Sequence, residues 1–210
     1  MSSIVETKIA KILLETSAIK LSPQEPFQWS SGWKSPIYCD NRTVLSYANH
    51  RNEIKQMLSQ EIKTNYPEVD TIIGVATAGI AMGALIADEL DLSYAYCRPE
   101  PKSHGLQRQL EGRVEANSKI VVLEDLISTG GSSLKVVHYL RSQGYEVLGM
   151  AAIFTYGFSI AEANFKAAQC QCITLGNYTS MIREAASSGY IKEIDLEKLS
   201  TWREQPDRWG

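Results

Sequence analysis

The sequence predicts an α/β fold in which a mainly parallel sheet is flanked by helices. From residue 71 onward, short β-branched apolar runs alternate with stretches of helical periodicity, which is the pattern of strand–helix–strand units. The chain has 210 residues, of which 44% are hydrophobic and 21% charged, as is usual for an ordinary globular domain. We therefore expect one domain over residues 1–210.

An opening helix and an irregular segment precede this alternation. Apolar residues at helical spacing predict helices over residues 4–14 and 46–63. Between them, residues 27–42 are rich in aromatic residues, Ser, Gly and Pro, which indicates short extended stretches joined by turns. We expect a small cover over the main sheet, formed mainly by about residues 20–43.

Strand and helix signals then follow one another along the rest of the chain. The predicted strands span residues 71–75, 93–96, 120–123, 146–154 and 170–174. The predicted helices span residues 79–90, 132–143, 160–168, 178–187 and 196–203.

The most informative segment is residues 120–133, where an apolar run, two acids and a Gly/Ser-rich loop follow one another. The apolar run predicts a buried parallel strand that ends just before Glu124 and Asp125. Ligands bind at that edge of open α/β sheets. The hydroxyls and glycines of residues 128–132 allow the backbone to approach an anion where a helix begins. This order predicts a site for a phosphorylated sugar.

Residues 120–133 have other interpretations. This segment could be a simple joint whose acids are solvated and whose hydroxyls cap the helix. However, an acid pair is a poor neighbour for a phosphate loop unless it has hydroxyls to bind. The sequence has no Gly-x-Gly-x-x-Gly after a strand and no Gly-Lys-Ser/Thr, so the two standard nucleotide-binding motifs are excluded.

The segment resembles the phosphoribosyl diphosphate (PRPP) binding signature of the type I phosphoribosyltransferases. This resemblance implies their fold, with a small N-terminal hood, in which the acids hold the ribose hydroxyls and the loop wraps the 5′-phosphate. It assigns PRPP binding to Glu124, Asp125, Leu126, Ile127, Ser128, Thr129, Gly130, Gly131 and Ser132. It also implies that the turn at residues 74–79 binds diphosphate through backbone amides, at Thr77 and Ala78.

The long polar loop at residues 98–113 contains spaced cations and glycines. Seen alone it could be a solvated connection, but loops of this length are more often functional. Its Arg98-x-x-x-Lys102-x-His104-Gly105 pattern is similar to the catalytic loop of orotate phosphoribosyltransferases. The resemblance implies a homodimer whose loop acts on the neighbouring subunit's site. Arg98 and Lys102 would neutralise the departing diphosphate and His104 would donate to it, while Asp125 orients the ribose.

The aromatic segment at residues 27–42 resembles the hood of the same family. A flat pyrimidine needs aromatic or apolar faces and a few polar groups. We expect orotate to contact Tyr38, Ser128 and Tyr156. The alternative is that the hood aromatics only pack a small subdomain.

The chain departs from some family members at four positions. Lysines in those members are replaced by Ser30, Ala78 and Pro99, and an arginine that contacts the orotate carboxylate is replaced by Tyr156. Another branch of the family shares the Phe-Thr-Tyr-Gly pattern that contains this tyrosine. The departures therefore indicate branch membership rather than loss of function.

These resemblances imply a Mg²⁺-dependent transferase that joins orotate to PRPP in pyrimidine synthesis. PRPP would hold most of the Mg²⁺ coordination, with Asp125 as a candidate ligand. The alternatives are a purine-type phosphoribosyltransferase and a non-catalytic PRPP-sensing regulator that binds nucleic acid. A net charge of −3 disfavours nucleic-acid binding. We expect a cytoplasmic protein without a membrane span, since the sequence has no long apolar segment or secretory start.

Overall fold

The computed structural model describes residues 3–29, 32–101 and 109–209 as a series of helices and strands. The chain begins with α1 (Ser3–Glu15), β1 (Ile19–Leu21), β2 (Phe27–Gln28), β3 (Lys34–Ser35) and β4 (Ile37–Cys39). A 3₁₀ helix (Asn41–Ser46) leads into α2 (Ala48–Asn65). The remaining elements are β5 (Thr71–Val75), α3 (Gly79–Leu90), β6 (Ser93–Cys97), β7 (Leu110–Glu111), β8 (Lys119–Ile127), α4 (Gly131–Ser142), β9 (Glu146–Thr155), α5 (Ser159–Ala167), β10 (Cys172–Asn177), α6 (Tyr178–Ser187) and α7 (Asp195–Glu204).

A six-stranded sheet runs through the centre, in the order β10-β9-β8-β5-β6-β7. All neighbours in it are parallel except β7, which pairs antiparallel with β6 at the edge. The predicted α/β fold with a mainly parallel sheet is therefore confirmed. Strand β7 was not predicted, because its two residues are too few to show a periodicity.

Helices cover both faces of the sheet, and the side chains of β8 alternate between the two layers. Val121 and Leu123 pack into the larger core, which also holds buried residues of α1, α2, α3, α6 and α7. Ile120 and Val122 pack into the second core, beneath α4 and α5. Because both faces are covered, the run is apolar at every position instead of at alternate ones. No helix within the described ranges is long and apolar enough to cross a membrane.

The strand that carries the acid pair is longer than predicted. β8 ends at Ile127 and not at residue 123, because β9 accompanies it as far as Thr155. Glu124 and Asp125 thus lie within the ladder, and as consecutive strand residues they point to opposite faces. The predicted boundary was wrong because carboxylates interrupt the apolar run, whereas the ladder needs only a neighbouring backbone.

Two antiparallel strand pairs form the hood, which we define as residues 20–43. β1 pairs with β4, and β2 pairs with β3. The indole Nε1 of Trp29 and the hydroxyl of Ser35 both donate to the carbonyl oxygen of Ile37, at 3.1 and 2.8 Å. Asp40 begins the 3₁₀ helix, since its side chain accepts from the amide of Arg42 at 3.2 Å.

Candidate active site

The acid pair on β8 places its two carboxylates in different surroundings. Glu124 is only 6% exposed and lies under the start of α4, where the Ser133 hydroxyl donates to its Oε2 at 3.0 Å. The backbone amide of Asp125 donates to its Oε1 at 3.1 Å. Both carboxylate oxygens of Glu124 are therefore hydrogen-bonded, and its side chain is fixed in place. Asp125 is half-buried on the opposite, hood side.

Burial acts on both acids in the same direction. Burial, followed by the charge of Asp125, raises the pKa of Glu124 to about 8. Burial also raises the pKa of Asp125, although the hydrogen bonds at its own backbone and the charge of Arg42 act against it. A ligand that brings hydroxyl donors or a cation would therefore stabilise the charged forms of this pair.

Asn41 joins the hood to the acid pair, a role that the sequence does not predict. It is buried, and its Nδ2 donates to the backbone carbonyl of Asp125 at 2.7 Å. Its Oδ1 accepts from the thiol of Cys39 at 3.4 Å. The only signal in the sequence is an amide next to an aromatic, polar stretch, and such a residue is usually exposed.

The loop after β8 supplies the start of α4. Gly130 caps this helix with φ of +77°, and a Cβ there would lie 2.7 Å from the ring of Phe165. Both the backbone angle and the space therefore require glycine. Asn164 of α5 donates to the carbonyl of Thr129 at 2.9 Å, which fixes the loop from the side. Since glycine has no side chain to cap the helix, the first-turn amides of α4 are left for a ligand.

The turn between β5 and α3 contains Thr77 and Ala78. Thr77 is exposed, and Ala78 caps α3 without a side-chain hydrogen bond. A Cβ on Gly79 would lie 2.5 Å from the carbonyl oxygen of Leu123, and a Cβ on Gly74 would lie 2.6 Å from that of Gly79. The two glycines thus hold this turn against β8, next to the acid pair. A second helix start without a side-chain cap therefore lies at the same edge of the sheet.

A cavity of about 600 Å³ lies between the hood and the loop after β8. It brings together Tyr38, Ser128 and Tyr156, the three residues expected to contact orotate. Trp29 and Cys39 of the hood also line it. Aromatic walls with a few hydroxyls suit a flat ring that carries polar substituents.

Tyr156 belongs to an aromatic cluster, which we define as Trp29, Phe154, Tyr156, Phe158, Tyr178 and Trp202. The Tyr156 ring is 2% exposed and stacks on Trp29 with their centroids 5.2 Å apart. Trp202 of α7 meets it edge-on at 5.7 Å. Burial raises the pKa of Tyr156 well above its usual value, so the phenol stays neutral. Tyr156 was predicted at the site, but its partner on α7 was not.

The three predicted loop residues are only partly covered by the structure. Arg98 directly follows β6, and its amide donates to the carbonyl of Gln109 at 2.9 Å. Its Nε is 4.0 Å from Oε1 of Glu111 at the sheet edge. Lys102 and His104 lie outside the described residues, as does Ser30 in the hood.

An acid pair on a central parallel strand, followed by a glycine-capped helix, is the arrangement of a phosphoribosyltransferase. The sequence model of the family described as "Phosphoribosyl transferase domain" matches residues 43–187, more than half of the chain. The chain therefore has this domain, and the predicted type I fold is confirmed.

Comparison with individual proteins identifies the family within the phosphoribosyltransferases. Proteins named orotate phosphoribosyltransferase from Cytophaga hutchinsonii and Porphyromonas gingivalis are each 52% identical over 202 residues. The matches cover 96% of this chain and 97% and 96% of those relatives. The solved orotate phosphoribosyltransferase of Aeropyrum pernix is 27% identical with a TM-score of 0.75, covering 87% of this chain and 99% of that one. The chain belongs to the orotate phosphoribosyltransferase family.

Proposed function

We propose that this protein transfers the ribose 5-phosphate group of PRPP to N1 of orotate, giving orotidine 5′-phosphate and diphosphate in pyrimidine biosynthesis. The observation that carries the proposal is the cavity shared by Tyr38, Ser128 and Tyr156. The loop after β8, which follows the acid pair, contributes directly to its wall. A flat base bound there would lie next to a ribose held by the acids.

The sugar phosphate occupies the fixed half of the proposed site. Glu124 and Asp125 accept hydrogen bonds from the ribose hydroxyls, which compensates for their burial. The 5′-phosphate lies at the start of α4, held by residues 128–132. The diphosphate lies at the start of α3, where the amides near Thr77 and Ala78 have no side-chain cap.

Mg²⁺ fits the residues of this site. The acid pair offers hard oxygen donors, which are the ligands that Mg²⁺ prefers, and a bound cation would offset the burial of their charged forms. The described residues contain no cluster of three or more His, Cys, Asp or Glu side chains able to hold a metal ion. Magnesium bound mainly through substrate phosphates, with Asp125 as the nearest protein ligand, agrees with both observations. When bound, the ion neutralises phosphate charge.

The base lies in the cavity, where it needs partners for a carboxylate. The residue that follows β9 is neutral Tyr156, so it offers a ring face and no cation. We assign the carboxylate to the Ser128 hydroxyl and to backbone amides of the hood, with Tyr38 against the ring. Hydrogen bonds from neutral donors are sufficient for an anion when they are fixed before binding.

The reaction breaks the bond between C1 of the ribose and the diphosphate oxygen and forms one from C1 to N1 of orotate. N1 loses its proton to solvent, and the electron pair of the broken bond leaves with diphosphate. Negative charge on that group grows as it departs, and Arg98, Lys102 and His104 stabilise it. We further propose that the protein is a cytoplasmic homodimer in which this loop serves the neighbouring subunit's site.

The decisive experiment mixes the protein with PRPP, Mg²⁺ and orotate and follows the loss of orotate absorbance. Uracil and hypoxanthine are the control bases. Turnover with hypoxanthine alone would instead indicate the purine-type alternative. Salt-dependent binding to RNA or DNA without diphosphate release would indicate the regulator.

The loop is tested by Lys102→Ala, which is expected to lower kcat much more than it weakens PRPP binding. Lys63→Ala, at an exposed position near the end of α2, is the matched control. An unchanged kcat in the Lys102→Ala variant would remove the loop from the mechanism.

A further inference from the structure

The C-terminal helix α7 lies outside residues 43–187, the part matched by the family model, yet it packs directly behind the base cavity. Its Trp202 is fully buried. The ring of Trp202 meets Trp29 edge-on at 5.6 Å and Tyr156 edge-on at 5.7 Å. These two rings line the cavity, and Trp202 does not. It therefore contacts the wall of the base site from the side opposite the base.

Trp202 holds two parts of the cavity that come from different regions of the chain. Trp29 belongs to the hood, whereas Tyr156 follows the sheet strand β9. The two rings stack with their centroids 5.2 Å apart. Because they are far apart in the sequence, the backbone does not fix their spacing. One indole that packs against both fixes the hood wall relative to the sheet wall. Rotation of either ring would lose its edge-to-face contact with that indole.

Polar contacts tie the same helix to the hood and to the body of the protein. The indole Nε1 of Trp202 donates to the carbonyl of Lys34 at 3.3 Å, and β3 with Lys34 pairs with β2 beside the cavity. A second hood contact joins Gln24 Nε2 to the buried Asp195 Oδ1 at 2.8 Å. On the opposite side, the Tyr178 hydroxyl donates to a carbonyl of α7 at 3.0 Å. The helix therefore bridges the hood and α6.

We propose that Trp202 is a positioning residue for the base, which sets the spacing of Trp29 and Tyr156 and thereby the width of the orotate cavity. This inference rests on the proposed function. It gives α7 a role in recognition of a planar pyrimidine, without contact between Trp202 and the substrate. The ring contacts of Trp202 that the structure describes are with Trp29, Tyr156, Phe158 and Tyr178, none of which is assigned to PRPP. The main effect is therefore expected on the base.

The test compares Trp202→Leu and Trp202→Phe with the wild type in steady-state kinetics with both substrates. Loss of the aromatic ring in Trp202→Leu is expected to raise the KM for orotate about tenfold. Phenylalanine keeps a ring but loses the donor to Lys34, so Trp202→Phe should restore most of this loss and leave an increase of about threefold. In both variants the KM for PRPP should stay within about twofold of the wild type.

Trp209→Phe is the matched control, because Trp209 lies just beyond the same helix and packs on Lys198, 5.4 Å from its ring centre. It should leave the KM for orotate and the KM for PRPP unchanged. A purely structural role for Trp202 would lower the melting temperature and the active fraction without changing the KM for orotate. If Trp202→Leu does not fold, the KM for orotate of Trp202→Phe alone decides between a positioning role and a purely structural one.

The possible outcomes separate the two proposals. A wild type that does not consume orotate refutes the proposed function and this inference with it. An active wild type with an unchanged orotate KM in the folded variants refutes the inference alone, as does an equal rise in the KM for PRPP. A rise confined to orotate, partly restored by phenylalanine, supports it.

Discussion

The buried acid Glu124 makes stability depend on pH in a direction that can be tested without any substrate. Its pKa is raised from 4.5 to about 8 in the folded protein, chiefly by burial. The folded state therefore holds the proton more tightly than the unfolded chain does. Its contribution to stability is fully present below about pH 4.5 and is lost as the pH rises through about 8.

The size of the effect follows from these two pKa values. Proton linkage gives a loss on the order of a few kcal/mol of unfolding free energy between about pH 5 and pH 8. The change Glu124→Gln removes the titrating group and should remove this slope. Glutamine fits the site, since its oxygen can accept from the Asp125 amide while its Nε2 donates to the Ser133 hydroxyl. The variant should therefore be more stable than the wild type above neutral pH.

The measurement is urea unfolding of ligand-free wild type and Glu124→Gln across this pH range. Glu193→Gln, which removes the same charge from an exposed position, is the control and should follow the wild type. Parallel stability curves for wild type and Glu124→Gln would refute the assignment of a raised pKa to this residue. Loss of PRPP turnover in Glu124→Gln is expected as well, because its acceptor for the ribose is weakened.

Three further predictions follow from the site. Asn41→Ala leaves the carbonyl of Asp125 without its hydrogen-bond donor. The free energy of unfolding in urea should therefore fall by about 1–3 kcal/mol, and the KM for PRPP should rise. The control Asn65→Ala, at an exposed position, should change neither quantity. Gly79→Ala forces a Cβ against a carbonyl of β8 and should lower the free energy of unfolding by about 1–3 kcal/mol. In the control Gly131→Ala the new Cβ has no atom nearer than 3.7 Å, so the melting temperature should stay that of the wild type. Removal of Mg²⁺ with EDTA should stop turnover until magnesium is restored, but leave the melting temperature of the ligand-free protein unchanged; a lower melting temperature would contradict binding mainly through substrate.

Local patterns in the sequence predicted most of the sheet and placed the acid pair at the carboxyl end of its central strand. The bounds of β5 and α3 agree with the prediction, because Asp70 precedes the apolar run of β5 and Asp91 follows the helical pattern of α3. The predicted end of β8 was wrong, because its charged residues continue the ladder with the neighbouring strand β9. Periodicity reports burial, and it fails where a buried position has to carry a charge for function.

Contacts between distant parts of the chain could not be predicted in this way. Asn41 bonds to a carbonyl 84 residues away, and Trp202 bonds to one 168 residues away. Asn41 lies in the hood segment and Trp202 in an ordinary helical pattern, and neither pattern indicates the distant partner. The resemblance to a family identified the residues that face the substrates, but not those that hold them in place from behind.

The replacement of an arginine by Tyr156 has a consequence for the whole base site. An arginine at this position would need space and solvent for its charge, whereas a neutral tyrosine can be buried against Trp29 and Trp202. The aromatic cluster then fixes the hood to the sheet and to α7. A hood fixed in this way can offer its backbone amides at set positions. Under the proposed function, these preorganised donors would bind the orotate carboxylate in place of the missing cation. The loss of the charge and the gain of the cluster would then be parts of one arrangement, in which rigidity takes the place of a flexible cation.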